Sequence, residues 1–251
     1  MAGYAGAVVR AGEIVSAPAH SLLVQSYKPR EMQSGTVNAD GFGAALWLDD
    51  GKPEPALYRT AAPIWADPNQ AFVNQRLSVR SLVAAVRSAT PGIGFELSNV
   101  QPFARGHIAF AHNGFIRDFR RGAQRALREQ LGNEAYESIE GSSDSEHLFA
   151  LVLDGTGTLS ARVAQAVLRL EAICAALDRT AAATLLLGDG EQLVGVRWAR
   201  GCRPPTLYWS PFARGVCMAS EPLDGERWKE IPPELVAVAV PGEDLRLEAL
   251  R

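Results

Sequence analysis

Three short stretches of this 251-residue chain carry side chains that could act together on a carbonyl group. The first is His112-Asn113-Gly114, at the end of the apolar run HIAFAHNG. Acyl transfer needs hydrogen-bond donors aimed where the carbonyl oxygen becomes negative. An Asn amide beside a Gly N–H supplies two, because Gly lets the backbone turn and approach closely. Asn-Gly is equally a common turn pair. The second stretch is VAAVRSATPG, in which Arg87 ends a run that otherwise reads as a buried strand. An unpaired buried guanidinium is costly, and its planar fork matches a carboxylate, contributed either by a ligand or by another part of the chain. Thr90 adds a hydroxyl nearby. The third is Ser142-Ser143-Asp144-Ser145-Glu146. An acid at a helix start is favoured by the dipole alone, and Asp144 could also receive an ammonium. Together Arg87 and Asp144 would read the two charges of an α-amino acid head group.

These groups have to be held by the elements around them. Strand-like runs dominate the first half: YAGAVV, AALWL, ALYRTA, LVAAVRSA and HIAFAHNG, most of them ending at Gly, Pro or Asp. HSLLVQSY and PNQAFVNQRL read as helices. After residue 140 the period changes, and Ser143 to Glu146 form a capping-box pattern ahead of Leu148, Leu151 and Val152. A second helix is expected over about 160–178, with Val163, Val167, Leu170, Cys174 and Leu177 as its apolar stripe. The last third returns to strands, in TLLLG, QLVGVRW, TLYWS, VCMAS and LVAVAV. Strands, then two helices, then strands without βαβ alternation predict an α+β domain of antiparallel sheets packed with helices. No linker is visible, so residues 1–251 are read as one domain.

Composition narrows the functions. The chain is 47% hydrophobic and 21% charged with a net charge of −3, which predicts a soluble globular protein of the cytoplasm, without a nucleic-acid or membrane partner. The longest basic cluster, RDFRRGAQRALRE, puts Arg117, Arg120, Arg121, Arg125 and Arg128 mostly on the open side of an expected helix, as a solvated face or an anion site. Cys174, Cys202 and Cys217 are odd in number and lack C-x-x-C spacing, which argues against disulfides or zinc. His107 and His112 do not share a strand face, and His20 and His147 read as ordinary helix residues. No G-x-x-x-x-G-K-[ST] loop or dinucleotide fingerprint is present. No metal and no cofactor are expected.

The opening MAGYAGAV, followed in order by VRSAT, HNG and SDSE, resembles the class II glutamine amidotransferases. That resemblance implies the N-terminal-nucleophile hydrolase fold, an αββα four-layer sandwich of two antiparallel sheets between helices. It also implies that Asn113 and Gly114 hold the oxyanion, that Arg87 with Thr90 holds the glutamyl carboxylate, and that Asp144 holds its ammonium. Family members start, after methionine removal, with a nucleophilic cysteine; this chain has Ala2 there. A narrower likeness, carried by LLVQSYKPREMQSGTVNADGFGAALW, LSNVQPFARGHIAFAHNGFI, ASEPL and RWKEIP, is to the stand-alone γ-glutamyl amidohydrolases of ergothioneine biosynthesis. It implies release of glutamate from γ-glutamyl-hercynylcysteine sulfoxide, a small-molecule substrate. A methyl group cannot attack a carbonyl, so the chain as written is expected to bind and not to turn over. Ala2 reads as a Cys-to-Ala substitution in an active amidohydrolase. The alternatives are a natural pseudoenzyme that binds a γ-glutamyl metabolite and a glutaminase-type hydrolase of another γ-glutamyl amide.

Overall fold

The computed structural model describes residues 1–33, 35–88, 96–212, 214–225 and 227–250. Its strands are β1 (Ala2–Arg10), β2 (Phe42–Leu48), β3 (Ala56–Thr60), β4 (Ser78–Val86), β5 (Phe103–Arg105), β6 (Ile108–Ile116), β7 (Ala181–Gly188), β8 (Leu193–Arg200), β9 (Tyr208–Phe212), β10 (Gly215–Ala219), β11 (Lys229–Glu230), β12 (Leu235–Ala239) and β13 (Arg246–Ala249). The helices are α1 (Gly12–Val15), α2 (Leu22–Tyr27), α3 (Gln70–Arg76), α4 (Gln124–Arg128), α5 (Asn133–Glu137), α6 (Asp144–Asp154) and α7 (Leu159–Ala176). One sheet runs β11-β9-β10-β1-β4-β2-β3 and the other β13-β12-β8-β7-β6-β5. Every pairing is antiparallel.

Three apolar clusters make the layers. Ala5, Trp47, Val83, Ala111, Leu186 and Met218 pack between the sheets. Tyr4, Ile14, Leu22, Phe42 and Val73 join the first sheet to α1–α3. Phe110, Leu148, Leu151, Val167 and Leu185 join the second sheet to α6 and α7. The result is the expected αββα sandwich. Side chains alternate across β1 as a two-sided buried strand requires. Tyr4 faces the helices, while a Cβ on Gly3 would lie 3.1 Å from Leu193 of the opposite sheet.

The Ser143 half of the capping box predicted for α6 is present, with Ser143 Oγ accepting from the Glu146 N–H at 3.2 Å, while the Glu146 carboxylate accepts from the Glu140 and Gly141 N–H groups at 2.8 and 2.7 Å. Two expectations need correction. Leu177 is the C-cap of α7 and 37% exposed, so the stripe ends at Cys174. The arginine-rich stretch after β6 is not one helix: Gly122 has φ 103°, Arg121 is also non-helical, and α4 covers only Gln124–Arg128. A left-handed glycine breaks the helical hydrogen-bond run. The first correction gives a direct test by urea denaturation. Leu170→Ala should cost about 2–5 kcal/mol, whereas Leu177→Ala should stay within about 0.5 kcal/mol of the parent.

Candidate active site

The ends of β4 and β6, one from each sheet, line a cavity of about 840 Å³. β4 delivers Arg87 immediately after its last residue, β6 delivers Asn113 and Gly114, and the first turn of α6 delivers Asp144; all four line the cavity. Thr90 lies outside the described residues. Ala2 does not line the cavity: it is fully buried in the cluster of Tyr4, Leu22 and Phe42, and Met1 takes the cavity-facing place beside it.

The Met1 amine donates to Ser220 Oγ at 2.9 Å, and the Ser220 N–H donates to the Met1 carbonyl at 2.9 Å. Burial pushes the amine down to about 6, opposed by the charge of Glu221. Glu221 is itself fixed, its Oε2 lying 2.6 Å from His20 Nε2 and accepting the Arg30 N–H at 2.8 Å. His20, expected as an ordinary helix residue, is instead buried just before α2 in this pair. Cys174, Cys202 and Cys217 do not line the cavity. Burial raises all three thiols, Cys174 to about 11, which leaves them poor nucleophiles.

Arg87 is 8% exposed. Burial lowers its pKa, while the carboxylates of Asp40, Glu96 and Asp144 act in the other direction. Its backbone is held on both sides, donating to the Gly41 carbonyl at 3.0 Å and accepting from Asp40 at 2.9 Å. Asp144 ties α6 to β6. Its Oδ2 accepts the Ile116 N–H at 3.0 Å, and its Oδ1 accepts the Ser145 N–H at 2.8 Å. A carboxylate has about four acceptor positions, so these bonds leave room for a ligand ammonium.

Gly114 has φ 145°, and a Cβ there would lie 2.1 Å from the Ala182 carbonyl oxygen and 2.5 Å from His112 Nε2. The glycine therefore lets β6 close on β7 while Asn113 stays exposed to the cavity. Sequence reading missed what steadies this segment. Gln101 Oε1 accepts the His112 N–H at 2.5 Å and Gln101 Nε2 donates to the His112 carbonyl at 3.0 Å, a side-chain imitation of a neighbouring strand. His112 Nδ1 lies 2.9 Å from Ser145 Oγ, and burial keeps the ring neutral. The only sequence signal for Gln101 is its place in NVQPF, a run whose role geometry alone reveals.

His147 is fully buried behind the cap. Its Nδ1–H donates to the Ser143 carbonyl at 2.7 Å, and its Nε2 accepts from Arg128 Nε at 2.9 Å. Burial is the main cause of its low pKa, about 4, and Arg128 adds to it. Among the described residues, no group of three or more His, Cys, Asp or Glu could hold a metal ion. No helix among them is long and apolar enough to cross a membrane.

The sandwich, with two opposite charges and an Asn-Gly pair around one cavity, matches a known family. The model of the class II glutamine amidotransferases matches residues 15–201, a span that includes Arg87, Asn113, Gly114 and Asp144. The chain belongs to that family, and by family it is an amide hydrolase of the class II amidotransferase type. It is 34% identical over 245 residues to a gamma-glutamyl-hercynylcysteine sulfoxide hydrolase of Mycobacterium tuberculosis (strain CDC 1551 / Oshkosh), the match covering 97% of this chain and 94% of that protein. A glutamine aminotransferase class-II domain protein from Silicibacter pomeroyi shares the fold with a TM-score of 0.73 at 23% identity, covering 100% of this chain and 98% of its own. The phosphoribosylpyrophosphate amidotransferase of B. subtilis shares it with a TM-score of 0.65 at 17% identity, over 100% of this chain and 49% of its own.

Two outcomes follow from this geometry. Gly114→Ala combines a steric clash with a left-handed backbone and should cost at least about 1–3 kcal/mol in urea denaturation. For His147, the unfolded state binds a proton between the ordinary pKa of about 6.5 and the folded value of about 4, and the native state does not. Stability is therefore complete above pH 6.5 and is lost as pH falls towards 4. Unfolding measured at pH 7 and pH 4.5 should differ by roughly 2–3 kcal/mol from this group, a difference that His147→Gln removes.

Proposed function

We propose that residues 1–251 form one γ-glutamyl-binding domain of the ergothioneine-biosynthesis γ-glutamyl amidohydrolase type, working on a small molecule in the cytoplasm, without a metal or cofactor. As written, it is catalytically silent. The observation that carries this reading is the convergence of Arg87, Asn113, Gly114 and Asp144 on one cavity beside the start of β1.

In this reading Arg87, with Thr90, takes the glutamyl α-carboxylate and Asp144 takes the ammonium through the acceptor positions its internal bonds leave. The γ-carbonyl then points at the Asn113 amide and the Gly114 N–H, donors suited to a developing oxyanion. A cavity of about 840 Å³ is near the upper end of the roughly 300–1,000 Å³ typical of small-molecule sites. It has space for a leaving group beyond the glutamyl part. The name of the mycobacterial relative supports hercynylcysteine sulfoxide as that group.

In the parent reaction, the thiolate of a cysteine at position 2 attacks the γ-carbonyl, its proton passing to the adjacent α-amine. The leaving amine departs with a proton, and water hydrolyses the thioester. The methyl of Ala2 cannot take this part, and loss of a comparable nucleophile lowers turnover by roughly 10⁶-fold. Met1 adds a second obstruction, because it lines the cavity next to position 2 and its amine, not that of residue 2, is bonded to Ser220.

The test is a reversion. Ala2→Cys with Met1 removed should release glutamate from γ-glutamyl-hercynylcysteine sulfoxide at least about 10⁴-fold faster than the present chain. The present chain should bind the same compound, about ten- to a hundred-fold more tightly than Arg87→Met, as expected for losing a charged hydrogen bond. Binding without release by the reverted protein would establish a natural pseudoenzyme instead. Absence of binding in both forms would reject the γ-glutamyl reading, and release from glutamine alone would move the substrate class.

A further inference from the structure

A second pocket, of about 370 Å³, opens on the outer helical layer and is lined by Arg120, Gln124, Arg125, Arg128, Glu129 and Tyr136. Three guanidiniums face one space with a single carboxylate among them. Their internal bonds leave donors over. Arg125 and Arg128 each use only Nε inside the chain, on Glu129 Oε1 at 2.7 Å and on His147 Nε2 at 2.9 Å. Both therefore keep the paired Nη ends that grip a phosphate or carboxylate with two parallel bonds. Arg120 uses Nη2 alone, on Ser142 Oγ at 3.3 Å. The Arg128 guanidinium is also positioned over the Tyr136 ring, 5.8 Å from its centroid, a contact that holds it ready at low entropic cost. His147 beneath the pocket is neutral and adds no charge.

We propose that this pocket is a binding site for a small multivalent oxyanion, a diphosphate or a polycarboxylate, and that its occupancy is felt at the glutamyl site. Like-charged guanidiniums repel each other, and an anion that bridges them removes that repulsion. The pocket's volume is at the small end of the range for small-molecule sites, which suits such a ligand. Two of the arginines also hold the segment that begins α6. Arg120 bonds Ser142 directly, and Arg128 reaches the Ser143 carbonyl through His147, whose Nδ1–H donates to it at 2.7 Å. Ser143 and Asp144 line the large cavity. An anion that draws Arg120 and Arg128 together therefore acts on the cap that sets Asp144. Only this second part rests on the γ-glutamyl reading for its significance; the site itself does not.

The test is calorimetric titration of the full chain with sodium pyrophosphate and, separately, with citrate, at ionic strength fixed with sodium chloride. Expected is saturable 1:1 binding of at least one of them, weakened about ten-fold or more by Arg128→Met and by Arg120→Met, one lost charged bond each. Arg125 is largely exposed, so Arg125→Met keeps the fold and reports on the site if Arg128→Met does not fold. Amide hydrogen exchange over residues 142–147 should slow when the anion binds, and should not slow in Arg120→Met. No saturable binding, or binding that survives all three substitutions, overturns the site. A short RNA that binds the same arginines more tightly than either anion overturns the small-ligand assignment. Arginine-dependent binding with unchanged exchange at 142–147 overturns the link to Asp144. None of these readouts uses a glutamyl ligand, so failure here and failure of the γ-glutamyl reading are separate results.

Discussion

The hydrogen bond from the Ile116 N–H to Asp144 Oδ2 at 3.0 Å ties the end of the second sheet's β6 to the start of the helix that covers it, beside the His112–Ser145 contact and the apolar packing of Phe110 on Phe149. Ile116 is the last residue of β6 and Asp144 the first of α6, so the bond joins the two elements end to end across a gap of 28 positions. Both ends are buried, where an unmade bond would cost roughly 1–3 kcal/mol, more with a charge involved. The Asn113-Gly114 pair sits one intervening residue before one end, and the Ser143 cap immediately before the other. Moving either element would displace both the oxyanion donors and the acid.

One edge of this part of β6 is paired with β7, and side chains hold its other surroundings. Gln101 completes the free edge of His112, Ser145 joins His112 to α6, and His147 ties the cap carbonyl to Arg128. Two buried histidines held neutral make this region fully formed near neutral pH and weaker in acid. On the first sheet Ser220 receives the Met1 amine ahead of β1, and the neighbouring Glu221 is bonded to His20. Arg87 and Asp144 bring opposite charges to the cavity from different elements, which suits a ligand that carries both signs. Asp40 and Glu96 in the field of Arg87 keep its guanidinium charged despite burial.

Much of this was readable in the residues. The apolar runs YAGAVV and HIAFAHNG placed β1 and β6, and Ser143 with Glu146 placed the start of α6, because strand runs and helix capping are local. Asp144 was legible as an acid at a helix start, but its bond to Ile116 was not, since nothing local pairs residues 28 apart. His20 and Glu221, 201 positions apart, are the extreme case. The basic stretch was misread as one helix because charge spacing outweighed Gly122, whose left-handed backbone was decisive. Leu177 was counted in the α7 stripe because periodicity does not say where a helix stops. The likeness to a nucleophile-first family put Ala2 at the nucleophile position, yet the structure buries it with Tyr4 and places Met1 at the cavity.

The most direct test is a crystal structure of the present chain with a γ-glutamyl amide bound. The predicted result is a ligand in the large cavity with its α-carboxylate within hydrogen-bond distance of the Arg87 guanidinium, its ammonium on Asp144, and its γ-carbonyl oxygen directed at Asn113 and Gly114. A ligand bound with its head group away from Arg87 and Asp144, or with its γ-carbonyl pointing out of the cavity, would contradict the assignment.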